Sequence, residues 1–354
     1  MTPAEIARRR VHAHGLAVPS PATAEEIVGR LVAMQAQDYR GGLWSVGARS
    51  DHLTEADVER ALAERRIVRT WPMRGTLHLV AAADARWLPA LLGPRATQAA
   101  AGRRRGLGLD DAAIAIVRDA WEAALTGGQT LGRPELFKTM DAAGVDSGDQ
   151  RGPHLLRYFA EQGVLCFGPH AGKQPTYALI EEWCPDARVL DREEALAELA
   201  LRYFTGHGPA TLDDFAGWAF LTKGDAKAGL AAVSAQLESA EVAGLTFWYA
   251  DGPDASTGTQ LLAGFDEYVL GYKNRSAFLT PEIFDAVVPG GNGVFRATVV
   301  DDGQVVGLWA AKRLTRRQVV TVTGFEGRKP PRPAALKAAL GRYADFCGVP
   351  TELE

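Results

Sequence analysis

Three times along the chain a helix-period apolar pattern gives way to a pair of short β-rich runs, and no other feature restricts the fold as strongly. In the first copy the spacing predicts helices over residues 3–14, 23–36 and 54–66. Thr2 with Pro3 and Glu5, Thr23 with Glu26, and Thr54 with Asp57 supply their starts. "RIVRTW" and "GTLHLV" then alternate on either side of Pro72-Met73-Arg74-Gly75, which predicts a hairpin. The second copy predicts helices over 110–126, 132–143 and 151–162, then "GVLCFG" and "TYALI" flanking a Gly/Pro/Lys loop. The third predicts helices over 192–206, 211–221 and 225–237, then the strand pair in "EVAGLTFWYA". Three helices and a hairpin is the order of a winged helix, a helix-turn-helix with a strand pair appended.

Past the Gly/Ser/Thr-rich "DGPDASTGT" (251–259) the texture changes. "QLLAGFDEYVLGY", "GVFRATVVDDGQVVGLWAAKR" and "RRQVVTVTGF" read as strands, with Asp302-Gly303 as a hairpin turn, and a last helix over 333–347. The expected fold is therefore α+β: winged-helix units over 1–105, 106–188 and 189–255, and a small C-terminal β-barrel over 256–354.

The net charge of −4 hides an uneven distribution. Residues 1–110 carry 16 Lys/Arg against 11 Asp/Glu, residues 301–354 carry 9 against 6, and the middle is acidic. Basic clusters occur at Arg8-Arg9-Arg10, Arg65-Arg66 with Arg69, Arg103-Arg104-Arg105, Lys312-Arg313 with Arg316-Arg317, and Arg328-Lys329. A local positive face can grip phosphates on an acidic protein. The three cysteines, Cys166, Cys184 and Cys347, are widely separated, as in reduced thiols, and no Cys-x-x-Cys spacing suggests a metal. The N-terminal stretch lacks the apolar core of a secretory signal and no run reaches membrane-span length, so a cytoplasmic, nucleoid-associated protein with no membrane partner is expected.

Gln35 and Gln37 in "LVAMQAQDYRGGLW" pose the sharpest chemical question. On a helix, positions two apart point about 200° from one another, so two amides there cannot serve one site. In an extended segment they share a side. Either they converge on a water, or they close a helix end by bonding to neighbouring backbone. On the first hairpin, Arg69, Arg74, Thr76 and His78 are donors suited to a DNA backbone, against the simpler reading that these positions only meet solvent. Arg40, Arg103, Arg104, Lys312 and Arg313 extend the candidate DNA-binding set. Tyr39, Trp44 and Trp71 can stack on displaced bases or fill the core. Adjacent Asp266 and Glu267 cannot face one pocket from a regular strand, which argues against a carboxylate dyad. No phosphate-binding loop, Rossmann fingerprint or serine elbow is present.

Taken together, "MQAQDYRGGLW", "VRTWPMRGTLHLV", "GPATLDDFAGW", "LLAGFDEYVLGYKNR" and "DDGQVVGLW" make the chain resemble the AlkZ-type winged-helix family of bacterial DNA glycosylases. The resemblance implies three winged helices and a barrel in a C shape around DNA, in agreement with the independent count of repeats. It implies that Gln35 and Gln37 match a catalytic Gln-x-Gln motif that positions water, with Asp38 as the rival should the helix end shift by one residue. It further implies an enzyme acting on double-stranded DNA with alkylation or crosslink lesions; three units that wrap DNA need no second copy, so a monomer is expected, with no metal, no cofactor and no covalent intermediate on Lys273. The competing classes are a non-catalytic winged-helix regulator and a protein that sequesters a genotoxic small molecule.

Overall fold

The computed structural model describes every residue of the chain except Lys173, which lies in the expected Gly/Pro/Lys loop and outside the described residues. The chain forms two compact units, one of Met1–Arg60 with Leu196–Glu354 and the other of Ala61–Ala195.

The second unit holds the helices Asp111–Leu125, Arg133–Ala142 and Arg151–Glu161, close to their expected bounds. Val117, Trp121, Leu136, Met140, Leu155 and Phe159 recur at helical spacing on their inner faces and share one core. Trp121 is fully enclosed and donates its indole N–H to the Leu136 carbonyl (2.8 Å), so no polar atom of the ring is left unmet. The hairpin Leu165–Ala171 with Gln174–Leu179 is antiparallel, and Leu131–Gly132 pairs with its second strand. A second hairpin joins Ile67–Met73 to Thr76–Ala81. Arg74 (φ +54°) and Gly75 (φ +69°) both take left-handed conformations at its tip, as a tight turn matching strand twist requires. The helices Trp87–Ala99 and Ala101–Gly106 were not foreseen, because the first is apolar on most sides and shows little period.

In the first unit the strands Thr259–Leu262, Thr298–Asp301, Gln304–Arg313, Gln318–Gly324 and Thr351–Leu353 form a curled five-stranded sheet in chain order. All neighbours are antiparallel except the last pair. Asp302 and Gly303 form the expected turn, with φ +45° and +79°. The helix Pro333–Cys347 follows, and Trp44 and Trp309 donate to the carbonyls of Leu261 (2.8 Å) and Leu262 (2.7 Å). The helices Arg192–His207, Leu212–Ala219 and Lys223–Val233 precede the hairpin Glu238–Val242 with Leu245–Tyr249.

Two expectations for this unit are corrected. "QLLAGFDEYVLGY" is not one strand: it stops at Leu262, and Asp266 caps a one-turn helix, Glu267–Leu270, by accepting from the Tyr268 N–H (2.9 Å). The helix expected over 23–36 ends at Leu31, and the chain turns at Val32 (φ +69°) into the short strand Ala33–Gln35. A β-branched residue rarely takes positive φ, so nothing in the residue type announced the turn. Among the described residues no helix is long and apolar enough to cross a membrane.

Candidate active site

Neither glutamine lies on a helix. Gln35 closes the strand Ala33–Gln35, Gln37 follows in a bend, and Asp38 stands at the N-cap position of the unforeseen helix Tyr39–Gly47 without a side-chain capping bond. The strand ends at Gln35, and the bend at Gln37 breaks the alternation that a regular strand would impose on the two side chains. Ala36 is buried against Gly42 of the following helix, where a Cβ would lie only 2.7 Å from the Ala36 methyl. The second glycine of "RGGLW" is thus required for close approach. Gln37 is exposed, whereas Gln35 retains 6% of its surface.

Behind this segment lies a buried polar layer built from the sequence's most distinctive motifs. The Gln35 backbone N–H donates to Oε1 of Glu267 (3.0 Å), while Oε2 accepts from Nε1 of Trp218 (2.8 Å). His207 Nε2 is 3.7 Å from the same oxygen, and its ring stacks on Tyr203 with centroids 4.6 Å apart. Burial holds the His207 pKa below its ordinary value, against the pull of Glu267. Asp266 turns away from Glu267 and takes both Arg49 guanidinium nitrogens at 2.9 Å. Arg49 also donates to the carbonyls of His14 and Ser45. His14 Nε2 lies 2.8 Å from the Tyr272 hydroxyl, which donates to the His207 carbonyl (2.7 Å). Burial first, then the neighbouring His207, Arg49 and Arg10, push the His14 pKa well down. Asp214 of "GPATLDDFAGW" accepts from the backbone N–H groups of Lys273 (2.9 Å) and Asn274 (2.7 Å), tying that motif to "LGYKNR". Lys273 itself is exposed.

Several sequence readings change here. Arg10 is fully buried, donates to the Pro209 carbonyl (2.8 Å) and lies 3.7 Å from the Tyr272 ring centre, so the Arg8-Arg9-Arg10 run is not a free basic face. Arg8 pairs with Asp254 at 2.7 Å. Trp44 belongs to the core with its indole N–H satisfied, and Trp71 packs 5.1 Å from Phe167 within the second unit. Arg40 is mostly exposed and lies 3.7 Å from Glu55, which also takes Arg313 at 2.8 Å, and Lys312 is exposed.

Within the second unit, the hairpin-tip residue Arg74 lies 3.1 Å from His78 Nε2. His78 is fully buried, with Nδ1 2.9 Å from the Thr76 carbonyl, so it braces Arg74 and presents no surface of its own. Thr76 is half-buried and Arg69 lies 5.0 Å from the Phe167 ring centre. Arg103 is exposed, and Arg104 covers Tyr158 at 4.7 Å. Two residues the sequence reading missed join them. Arg157 packs its guanidinium against Gly75, and His154 is held down to about 4 by burial and by Arg104, Arg157 and Arg103. The i, i+3 spacing of Arg151, His154 and Arg157 on one predicted helix was the available signal.

Glu267 thus fixes the backbone of Gln35, while Gln37 stays at the surface. The model of the family described as DNA glycosylase AlkZ-like matches residues 28–346, and the chain belongs to that family. It is 28% identical over 334 residues to the interstrand DNA cross-link repair glycosylase of Streptomyces sahachiroi, covering 90% of this chain and 89% of that protein. The solved structure of the Streptomyces sahachiroi DNA glycosylase AlkZ superposes with a TM-score of 0.85 at 24% identity, covering both chains fully.

Proposed function

We propose that this chain hydrolyses the N-glycosidic bond of cationic alkylated purines in double-stranded DNA and unhooks interstrand crosslinks, with Gln35 and Gln37 placing the water. The observation that carries the proposal is the non-helical Gln35-Ala36-Gln37 segment, one glutamine anchored through its backbone by Glu267 and the other open to solvent. Alkylation at N7 of guanine or N3 of adenine makes the base a cation and a good leaving group, so no dedicated general acid is needed. What remains is to stabilise positive charge developing on the sugar and to hold a water on its far face. Carboxamide oxygens carry partial negative charge and accept a hydrogen bond from water, so a pair supplies both functions. They are too weakly basic to activate water against an undamaged purine, which confines the enzyme to activated lesions.

The proposal extends to the architecture: three winged-helix units over 1–105, 106–188 and 189–255 and a small barrel over 256–354, acting as a monomer. Arg74 at the first hairpin tip, with Arg69, Thr76, Arg103, Arg104, Arg40, Lys312 and Arg313, contacts phosphates, and His78 supports Arg74. Incubation with duplexes containing N7-methylguanine or a nitrogen-mustard crosslink tests the reading through released base and alkali-labile abasic sites. Gln37→Ala, at an exposed position, should lower single-turnover release about 10²–10³-fold with DNA affinity kept. Gln35→Ala should do the same. Binding without release by the wild-type protein overturns the catalytic reading in favour of a DNA-binding protein.

A further inference from the structure

Beside the Gln-x-Gln segment the first unit contains a cavity of about 270 Å³. Its lining begins at Asp38, one peptide bond from Gln37 and so about 3.8 Å away along the chain. Four of its walls are aromatic: Trp44, Trp309, Tyr343 and Phe346. Tyr343 stands edge-on to Trp44 and Trp309, with centroids 5.0 and 4.9 Å apart, and Phe346 is 5.2 Å from Trp44. Both indole N–H groups are spent on sheet carbonyls, so the tryptophans offer only ring surface to an occupant. Other walls are small, among them Ala310 and Ala311. The rim is charged: Glu55 lies between Arg40 and Arg313, and Asp38 faces the same space.

Resting on the glycosylase reading above, we infer that this cavity receives a flat ring of the lesion. Cavities for drug-sized ligands usually measure about 300–1,000 Å³, so this one suits a single mono- or bicyclic ring system. Aromatic walls favour a planar guest. Neither glutamine lines the cavity, but Asp38, the residue after Gln37, does, so a guest there reaches the edge of the Gln-x-Gln segment. Two sources share this chemistry: the displaced purine itself, or an aromatic ring carried on its alkyl substituent.

Ala311→Trp, on the face of its strand that carries Trp309, and Cys347→Trp would fill the space, with Val189→Phe, exposed and outside the lining, as the variant that leaves it open. Single-turnover release is compared on two duplexes, one with N7-methylguanine and one with an N7 adduct bearing a fused aromatic ring, with affinity for undamaged duplex and Tm as controls. A loss of tenfold or more on the ring-bearing adduct alone assigns the cavity to the substituent. A matching loss on both, with Val189→Phe and undamaged-DNA affinity unchanged, assigns it to the purine. Unchanged rates on both substrates in both tryptophan variants overturn the inference. If the wild-type protein releases no base from either duplex, the glycosylase reading has failed separately. The cavity is then judged by anisotropy: a preference for ring-bearing over undamaged duplex that the tryptophan variants abolish supports it, and one they leave intact, or no preference at all, overturns it.

Discussion

Replacing Glu267 by glutamine separates anchoring of the catalytic segment from simple packing. The side chain is fully enclosed, and its two oxygens accept from different donors, the Gln35 backbone N–H at 3.0 Å and the Trp218 indole at 2.8 Å. Glutamine has the same shape but only one acceptor oxygen, so one of the two N–H groups must face an NH₂ group. A buried donor left unsatisfied costs about 1–3 kcal/mol, and a hydrogen bond to a charged group contributes about 1.5–3 kcal/mol. A net loss of about 2 kcal/mol lowers Tm by about 4–8 °C in a unit of this size. If the amide keeps its oxygen towards Trp218, the Gln35 backbone shifts, and a displacement near 1 Å at a positioning residue costs about 10²-fold in rate.

The assay is single-turnover base release from N7-methylguanine duplex below the Tm of the variant, beside affinity for undamaged duplex. Release should fall about 10²-fold while affinity changes little. The double variant Glu267→Gln with Trp218→Phe removes the competing donor, so the amide oxygen is free to turn to Gln35. Part of the rate should return although a second core residue has been altered, a coupling that two independent structural lesions would not show. A wild-type rate in the single variant, or a double variant whose rate loss is merely additive, refutes the anchoring role.

Gly42→Ala places a methyl 2.7 Å from the Ala36 side chain, so about 1–3 kcal/mol of overpacking should push the Tyr39–Gly47 helix off the glutamine segment. Release falls at least tenfold at unchanged DNA affinity, and a wild-type rate would show that Ala36 is not clamped there. Arg74→Ala and Arg103→Ala should each weaken undamaged-duplex binding and reduce the slope of log affinity against log salt by about 1. An unchanged slope removes that residue from the phosphate contacts. His14 and His207 have folded-state pKa values below the ordinary range, and His154 is held down to about 4. The unfolded chain therefore binds these protons first, so stability present above pH about 6.5 is lost progressively as pH falls towards 4. Urea midpoints between pH 7.5 and 4.5 measure this, and a flat profile contradicts it.

Local rules carried much of the fold. The capping boxes at Thr2, Thr23 and Thr211 form as their Thr-x-x-Glu/Asp spacing required, and the helices that alternate with hairpins fall close to their expected bounds. Elements set by long-range contacts were not legible. The helix Glu267–Leu270 interrupts a run of strand-forming residues because Asp266 finds Arg49, more than 200 residues earlier in the chain. Charge was misread at Arg10 for the same reason: it stands in a basic run along the chain, yet it is enclosed beside Asp214 and the Tyr272 ring.

The glutamines show where the two kinds of information meet. Spacing alone establishes that Gln35 and Gln37 share a side only if the chain between them is extended, and the apolar pattern before them argued for continued helix. The deciding turn is at Val32, whose positive φ opposes its own residue preference and is held by a fully buried side chain. Neighbours in space hold the start of the segment: Glu267 takes the Gln35 N–H, and Gly42 admits Ala36. "GFDEY" and "RGGLW" are therefore readable as parts of the site although neither supplies the proposed reacting groups. A chain with the two glutamines but without an acceptor at 267 or a glycine at 42 should present them less rigidly, and the rate, more than the affinity, should register the difference.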